Sequence, residues 1–195
     1  LFITQVENLI NKVLCFGLHF AFIDIRQEND VHTKLIDTII GQKSNQKEKY
    51  TSLDELKKID FLTNSNIKID AQELDDELQS DTILTIQTIS KIQEEFGEDT
   101  CQRYIISQCS SALNVMEVLT LFKMSGWDVD HITVDIVPLF ETIDDLINAP
   151  LIMKQLYELD VYKKHLAQRN NKQTIMVGFS DGTKDGGYLM ANWMI

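Results

Sequence analysis

The chain has 195 residues, of which 44% are hydrophobic and 25% charged, a globular composition long enough to bury a core and unlike that of a disordered segment. Asp and Glu number 30 against 18 Lys and Arg, and a net charge of −12 makes the chain a poor general binder of nucleic acid or anionic membrane, both of which need a basic face. No apolar run approaches the roughly 20 residues of a membrane span.

Hydrophobic periodicity predicts a mostly helical chain with short strands between the helices. Residues 1–16 place Ile3, Val6, Leu9, Ile10, Val13 and Leu14 at helical spacing, with Gly17 as the stop. Phe20 to Arg26 (FAFIDIR) reads as a buried strand, followed by a helix over 30–41. Residues 42–51 form a polar connection, and Ser52 to Glu55 reads as a capping box opening a short helix. The acidic stretch 63–81 has no clear pattern. From Asp81, Ile83, Ile86, Ile89, Ile92 and Phe96 make one helical stripe, with Gly97 behind it.

The rhythm is then regular. Tyr104 to Cys109 is a strand, 111–125 a helix closed by Gly126, and Ile132 to Leu139 a strand. Helices are expected at 143–148 and 150–158, with Pro150 in a first helical turn, where a missing N–H costs nothing. A helix over 160–169 and a strand over Thr174 to Phe179 complete the series. Four short strands alternating with helices imply a parallel sheet: half of an eight-stranded barrel, or a small open sheet.

Chemistry in such folds gathers beyond the carboxyl ends of the strands. Those positions hold Arg26, the run Ser107 to Ser111, Glu141, and Ser180 to Gly187 with Asp181, Lys184 and Asp185. Carboxylates suit a hard divalent cation, and Arg with Lys suits an anion. Each has a plainer reading: Glu141 at a helix N-terminus, Arg26 in a structural ion pair, Asp181 and Asp185 in turns.

Other motifs are weaker. Gly178 to Gly182 (GFSDG) fits a hydrolase nucleophile elbow at Ser180, but all four histidines, His19, His32, His131 and His165, precede it, the wrong order for that fold. Asp181, Thr183 and Asp185 have the opening spacing of a calcium loop, yet the twelfth position is Asn192 rather than a bidentate Glu. Cys15, Cys101 and Cys109 form no C-x-x-C pair, which fits a reducing cytoplasm. A start at Leu1 inside a helical pattern, without a secretory signal, and an apolar end at YLMANWMI read as cuts through a longer chain.

The segments FIDIRQEND (22–30), YIISQCSSALNVMEVLTLFK (104–123), VPLFETIDDLINAPLIM (137–153) and VGFSDGTKDGGYLMANW (177–193) resemble the phosphoenolpyruvate carboxylase family, in a bacterial form, and occur in the family's order. They cover about half of the chain, and 42–103 matches only loosely. The resemblance implies an internal piece, 1–195, holding about half of a β/α barrel of the phosphoenolpyruvate-binding type, with a helical insertion at 42–103. It implies a cytoplasmic, tetrameric lyase that uses Mg²⁺ or Mn²⁺ to join phosphoenolpyruvate and bicarbonate into oxaloacetate and phosphate.

Carried over by motif, Glu141 and Asp181 match metal-binding carboxylates and Arg26 an arginine on the substrate phosphate. Lys184 matches a lysine of the substrate region, and Leu139 and Met176 match apolar residues around the substrate methylene. In the family, bicarbonate attacks phosphorus to give carboxyphosphate and an enolate, which then takes up CO₂. The family's catalytic His and its FHGRGG loop have no counterpart here, so the piece alone is expected to be inactive. Cys109 and His32 receive no role. A serine hydrolase using Ser180 and a non-enzymatic α/β interaction domain are the alternatives.

Overall fold

The computed structural model describes residues 2–17, 21–44 and 48–195. Phe20 of the expected first strand, His19, and 45–47 of the expected connection lie outside them. The described residues form a helix-rich α/β protein. Strands β1 (Asp24–Glu28), β2 (Arg103–Ser107), β3 (Asp135–Phe140) and β4 (Met176–Val177) make one sheet in the order β1-β2-β3-β4, every neighbour parallel. The helices are α1 (Ile3–Phe16), α2 (Asn29–Lys43), α3 (Glu55–Asn64), α4 (Glu77–Phe96), α5 (Ala112–Met124), α6 (Ile143–Glu158), α7 (Asp160–Gln168) and α8 (Phe179–Met194). None is long and apolar enough to cross a membrane.

Helix α5 is the centre of the core: every residue except Leu113 and Lys123 is buried. Helices α2, α3, α4 and α6 and strand β3 pack around it. α2 turns His32, Leu35, Ile36, Ile39 and Ile40 inward, and α4 turns Ile83, Ile86 and Ile89 inward, the expected stripes of amphipathic helices. Period-two alternation sends Tyr104, Ile106, Ile136 and Phe140 into this core, while Ile105, Val137 and Leu139 form a separate cluster on the other face of the sheet. The stripe on α1 is helical as expected but buries nothing; Leu14 is 77% exposed.

Five expectations need correction. The first ladder is Asp24–Glu28 rather than 20–26, because β2 begins at Arg103 and a strand's extent is set by its partner. Asp54, not Ser52, caps α3, accepting the Lys57 N–H at 2.9 Å; Ser52 belongs to a 3₁₀ turn, Tyr50–Ser52, that drives Tyr50 into the core. α6 runs unbroken through Pro150. Pro150 lies on the exposed side, where water can satisfy the carbonyl it strands. The last strand, expected over Thr174 to Phe179, is only Met176–Val177; Phe179 already begins α8, which is interrupted at Gly187, whose φ of 80° suits a residue without Cβ. The unassigned stretch 63–81 holds a capping box between Asp70 and Glu73, and Asp76 then starts α4 ahead of Asp81.

The core contains buried polar and titratable groups, some of them partnered across elements. Glu117 accepts from Tyr50 Oη at 2.9 Å and from Thr33 Oγ1 at 2.8 Å; burial still holds its pKa above the usual carboxylate range, against the lowering effect of those bonds. His32 Nε2 meets Tyr104 Oη at 2.9 Å, and burial pushes His32 down to about 3. His165, packed on Tyr162, is pushed down to about 4, chiefly by burial.

A histidine whose folded pKa is depressed stabilises the fold above its unfolded value and loses that contribution as pH falls toward the folded value. Stability should therefore fall between pH 6.5 and about 4 by ~1.4 kcal/mol per pH unit for each of the two histidines. Glu117 acts with the opposite sign, gaining stability as it protonates. The measurement is urea unfolding across that range in the protein and in His165→Gln, which should show a shallower slope; an unchanged slope would mean His165 is not held neutral.

Candidate functional site at the strand ends

Parallel pairing in chain order brings the four strand ends to one rim. Arg26 pairs across β1 and β2 with Ile105, which pairs with Val137, so Arg26 lies on the face of the small second cluster. Glu141 directly follows β3. Its Oε1 accepts from Arg26 Nη2 at 2.6 Å, and its Oε2 accepts the Gln108 N–H at 2.9 Å. The Glu141 side chain is only 14% exposed against 50% for Arg26, so a nearly sequestered carboxylate is held by one charged and one neutral donor.

The β4–α8 segment closes on the same residue. Gly178 N–H donates to Phe140 C=O at 2.8 Å, and a Cβ on Gly178 would stand 3.1 Å from Glu141 Cα. A Cβ on Gly182 would stand 3.6 Å from Glu141 O. The glycines let the backbone lie against Glu141, and Asp181 falls between them in the first turn of α8. Lys184 Nζ lies 3.3 Å from Asp181 Oδ1, and both side chains are more than half exposed, so this pair contributes at most about 1 kcal/mol. Leu139 and Met176 are register partners; Leu139 is 2% exposed and Met176 41%.

Two neighbouring carboxylates have structural duties. Asp145 Oδ2 accepts the Thr142 N–H at 3.0 Å while Thr142 Oγ1 accepts from Asp145 N–H at 3.1 Å, the capping box of α6. Asp185 Oδ2 accepts the Ile143 N–H at 2.8 Å and caps the same helix from α8. Glu141 and Asp181 remain, each facing a cation of this chain. Among the described residues, no group of three or more His, Cys, Asp and Glu side chains is arranged to hold a metal ion. Two carboxylates nonetheless suit Mg²⁺, which takes one or two and fills its shell from water and substrate oxygens.

Ser180 sits in the first turn of α8. The described histidines are engaged elsewhere: His32 with Tyr104, His131 with Asp128 at 3.0 Å, and His165 inside the core against Tyr162. A groove of 670 Å³, lined by Gln93, Trp127, Asp128 and His131 among others, is built from segments that precede β2 and β3 rather than from their carboxyl ends. Sequence reading missed Gln108 and Asn29. Gln108 has a φ of 54°, and Asn29 Nδ2 donates to its carbonyl at 2.5 Å. Nothing in residue type or spacing announces a left-handed glutamine.

These features are those of an α/β protein that carries its charged side chains at the carboxyl ends of parallel strands. The chain belongs to the phosphoenolpyruvate carboxylase family, whose sequence model matches residues 1–195. It is 34% identical to a phosphoenolpyruvate carboxylase of Gloeobacter violaceus, over 97% of this chain and 21% of that protein. It is 35% identical to those of a Synechococcus and a Synechocystis, over 98% of this chain in each case and 19% and 22% of those proteins. The chain thus spans about one fifth of the length of these relatives.

Close approach between α6 and α8 keeps this rim together. A Cβ on Gly186 would collide with Ile143 Cγ1 and stand 2.8 Å from its Cδ1. Gly186→Ala should cost about 1–3 kcal/mol, and adding Ile143→Ala should make the two effects less than additive. Fully additive losses in urea unfolding would argue against the contact.

Proposed function

We propose that this chain is part of a phosphoenolpyruvate carboxylase, in which it carries the metal-binding half of a site that converts phosphoenolpyruvate and bicarbonate to oxaloacetate and phosphate. The observation that carries the reading is the convergence on Glu141 of Arg26 from β1 and of the Gly178–Gly182 backbone from the β4–α8 junction. Four strands in unbroken sequential order support about half of a β/α barrel over 1–195, with 42–103 as a helical insertion. The whole protein is then a cytoplasmic homo-oligomer, tetrameric as its family implies.

In this reading Glu141 and Asp181 hold the Mg²⁺ or Mn²⁺. The ion supplies positive charge where an enolate oxygen develops. Arg26, half exposed, has a guanidinium fork able to leave Glu141 for the phosphate oxygens of an incoming substrate and so orient the transfer to bicarbonate. Glu141 is then freed of its cation as the substrate arrives. Lys184 adds a second positive charge on the rim. Leu139 and Met176, side by side in register, exclude water from the carbon that must meet CO₂ rather than a proton.

Arg26→Lys in the full-length protein keeps the charge but not the fork, and should lower activity on phosphoenolpyruvate at least tenfold with the fold intact. An unchanged rate and affinity would remove Arg26 from the substrate site. The isolated 195-residue chain should form no oxaloacetate in a bicarbonate-dependent coupled assay, yet bind Mn²⁺ weakly in a way that Asp181→Asn abolishes. Robust turnover by the isolated chain would mean that the site is assembled differently.

A further inference from the structure

Glu141 is held on its Oε2 side by a backbone N–H whose own placement is costly. That N–H belongs to Gln108, at φ 54° just beyond β2. A residue with a Cβ enters the left-handed region only at a penalty, which glycine avoids. The chain resumes ordinary pairing one residue later, where Cys109 N–H donates to Leu139 C=O at 3.3 Å. Gln108 is therefore a single left-handed step between the end of β2 and the loop that leads to α5. The N–H of this step reaches the Glu141 carboxylate. The Gln108 side chain is exposed, and the hydrogen bonds at Gln108 are made by its backbone N–H and C=O.

The carbonyl has the partner that could account for the left-handed conformation. Asn29, the first residue of α2, is half-buried, and its Nδ2 donates to Gln108 O at 2.5 Å. Asn29 is anchored in turn, since its helix presents Thr33 one turn later to the buried Glu117. A line of contacts thus runs from the core through α2 to the Gln108 peptide and on to Glu141. It does not pass through Arg26, which reaches the other carboxylate oxygen from β1.

We propose that Asn29 is a positioning residue: by bonding the Gln108 carbonyl it holds Gln108 in the left-handed conformation, and so fixes the N–H that orients the Glu141 carboxylate toward a divalent cation. The inference rests on the reading of Glu141 as a metal-binding carboxylate. Such outer-shell partners typically contribute 10–100-fold to metal affinity or activity.

The test uses the full-length protein, with Mn²⁺ affinity by titration, oxaloacetate formation, and thermal unfolding as readouts. Glu141→Gln comes first: if it leaves Mn²⁺ affinity unchanged, the metal assignment of Glu141 fails and this inference with it. If Glu141→Gln weakens Mn²⁺ binding, Asn29→Ala should weaken it by about 10-fold or more with little change in unfolding temperature. The double variant Asn29→Ala with Gln108→Gly should recover most of that loss, because glycine adopts the positive φ without help and keeps the N–H. Unchanged Mn²⁺ affinity in Asn29→Ala would overturn the proposal. A loss that Gln108→Gly does not rescue would overturn it too, since Asn29 would then act by another route. Should Asn29→Ala fail to fold, Asn29→Asp suits the first helical turn while replacing the donor with an acceptor, and the same loss and rescue are expected.

Discussion

A parallel strand can follow its neighbour only if the chain crosses back over the sheet between them, and each crossing here is made by helices. That constraint organises the molecule. It makes α5, between β2 and β3, the most deeply enclosed element, with Val115, Val118, Leu121 and Phe122 fully buried. It also brings all four carboxyl ends to one rim, so that Arg26 and Glu141, separated by 115 residues, meet at 2.6 Å. A shift of one residue in the β1–β2 register would turn Arg26 to the helical side of the sheet and leave Glu141 without its cation.

Electrostatics at the rim follow from burial. A carboxylate as sheltered as Glu141 is costly unless its oxygens are occupied, and both are, by a guanidinium and a peptide N–H. Asp181 and Lys184 are mostly in water and hold each other loosely. The rim therefore joins a rigid carboxylate to a yielding ion pair.

The core beneath is not purely apolar. Glu117 ties α2 to α5 through Thr33, and the turn before α3 to α5 through Tyr50. Its burial is compensated only while both hydroxyls donate, so the network demands one arrangement of three segments where hydrocarbon contacts alone would tolerate several. His32 on Tyr104 links α2 to the sheet in the same way. Since α2 also carries Asn29, the placement of this helix is felt at the strand ends.

Much of the secondary structure was legible in residue spacing. The isoleucine stripe of α4, the helical period of α1, the Gly97 and Gly126 stops and the four apolar strands are local patterns, set by rises and repeats of a few residues. The motif segments likewise pointed to the family and to Arg26, Glu141, Asp181 and Lys184 without any coordinates. Spacing did not reveal that Asp54 rather than Ser52 caps α3, because that choice depends on Tyr50 entering the core. It did not reveal that α6 passes through Pro150, because that depends on which side of the helix faces water. Nor did it disclose the ion pair of Arg26 with Glu141 or the bond of Asn29 to a left-handed Gln108. Those contacts join residues 79 or more positions apart, and sheet register and helix packing, not local propensity, decide which distant groups come within hydrogen-bonding reach.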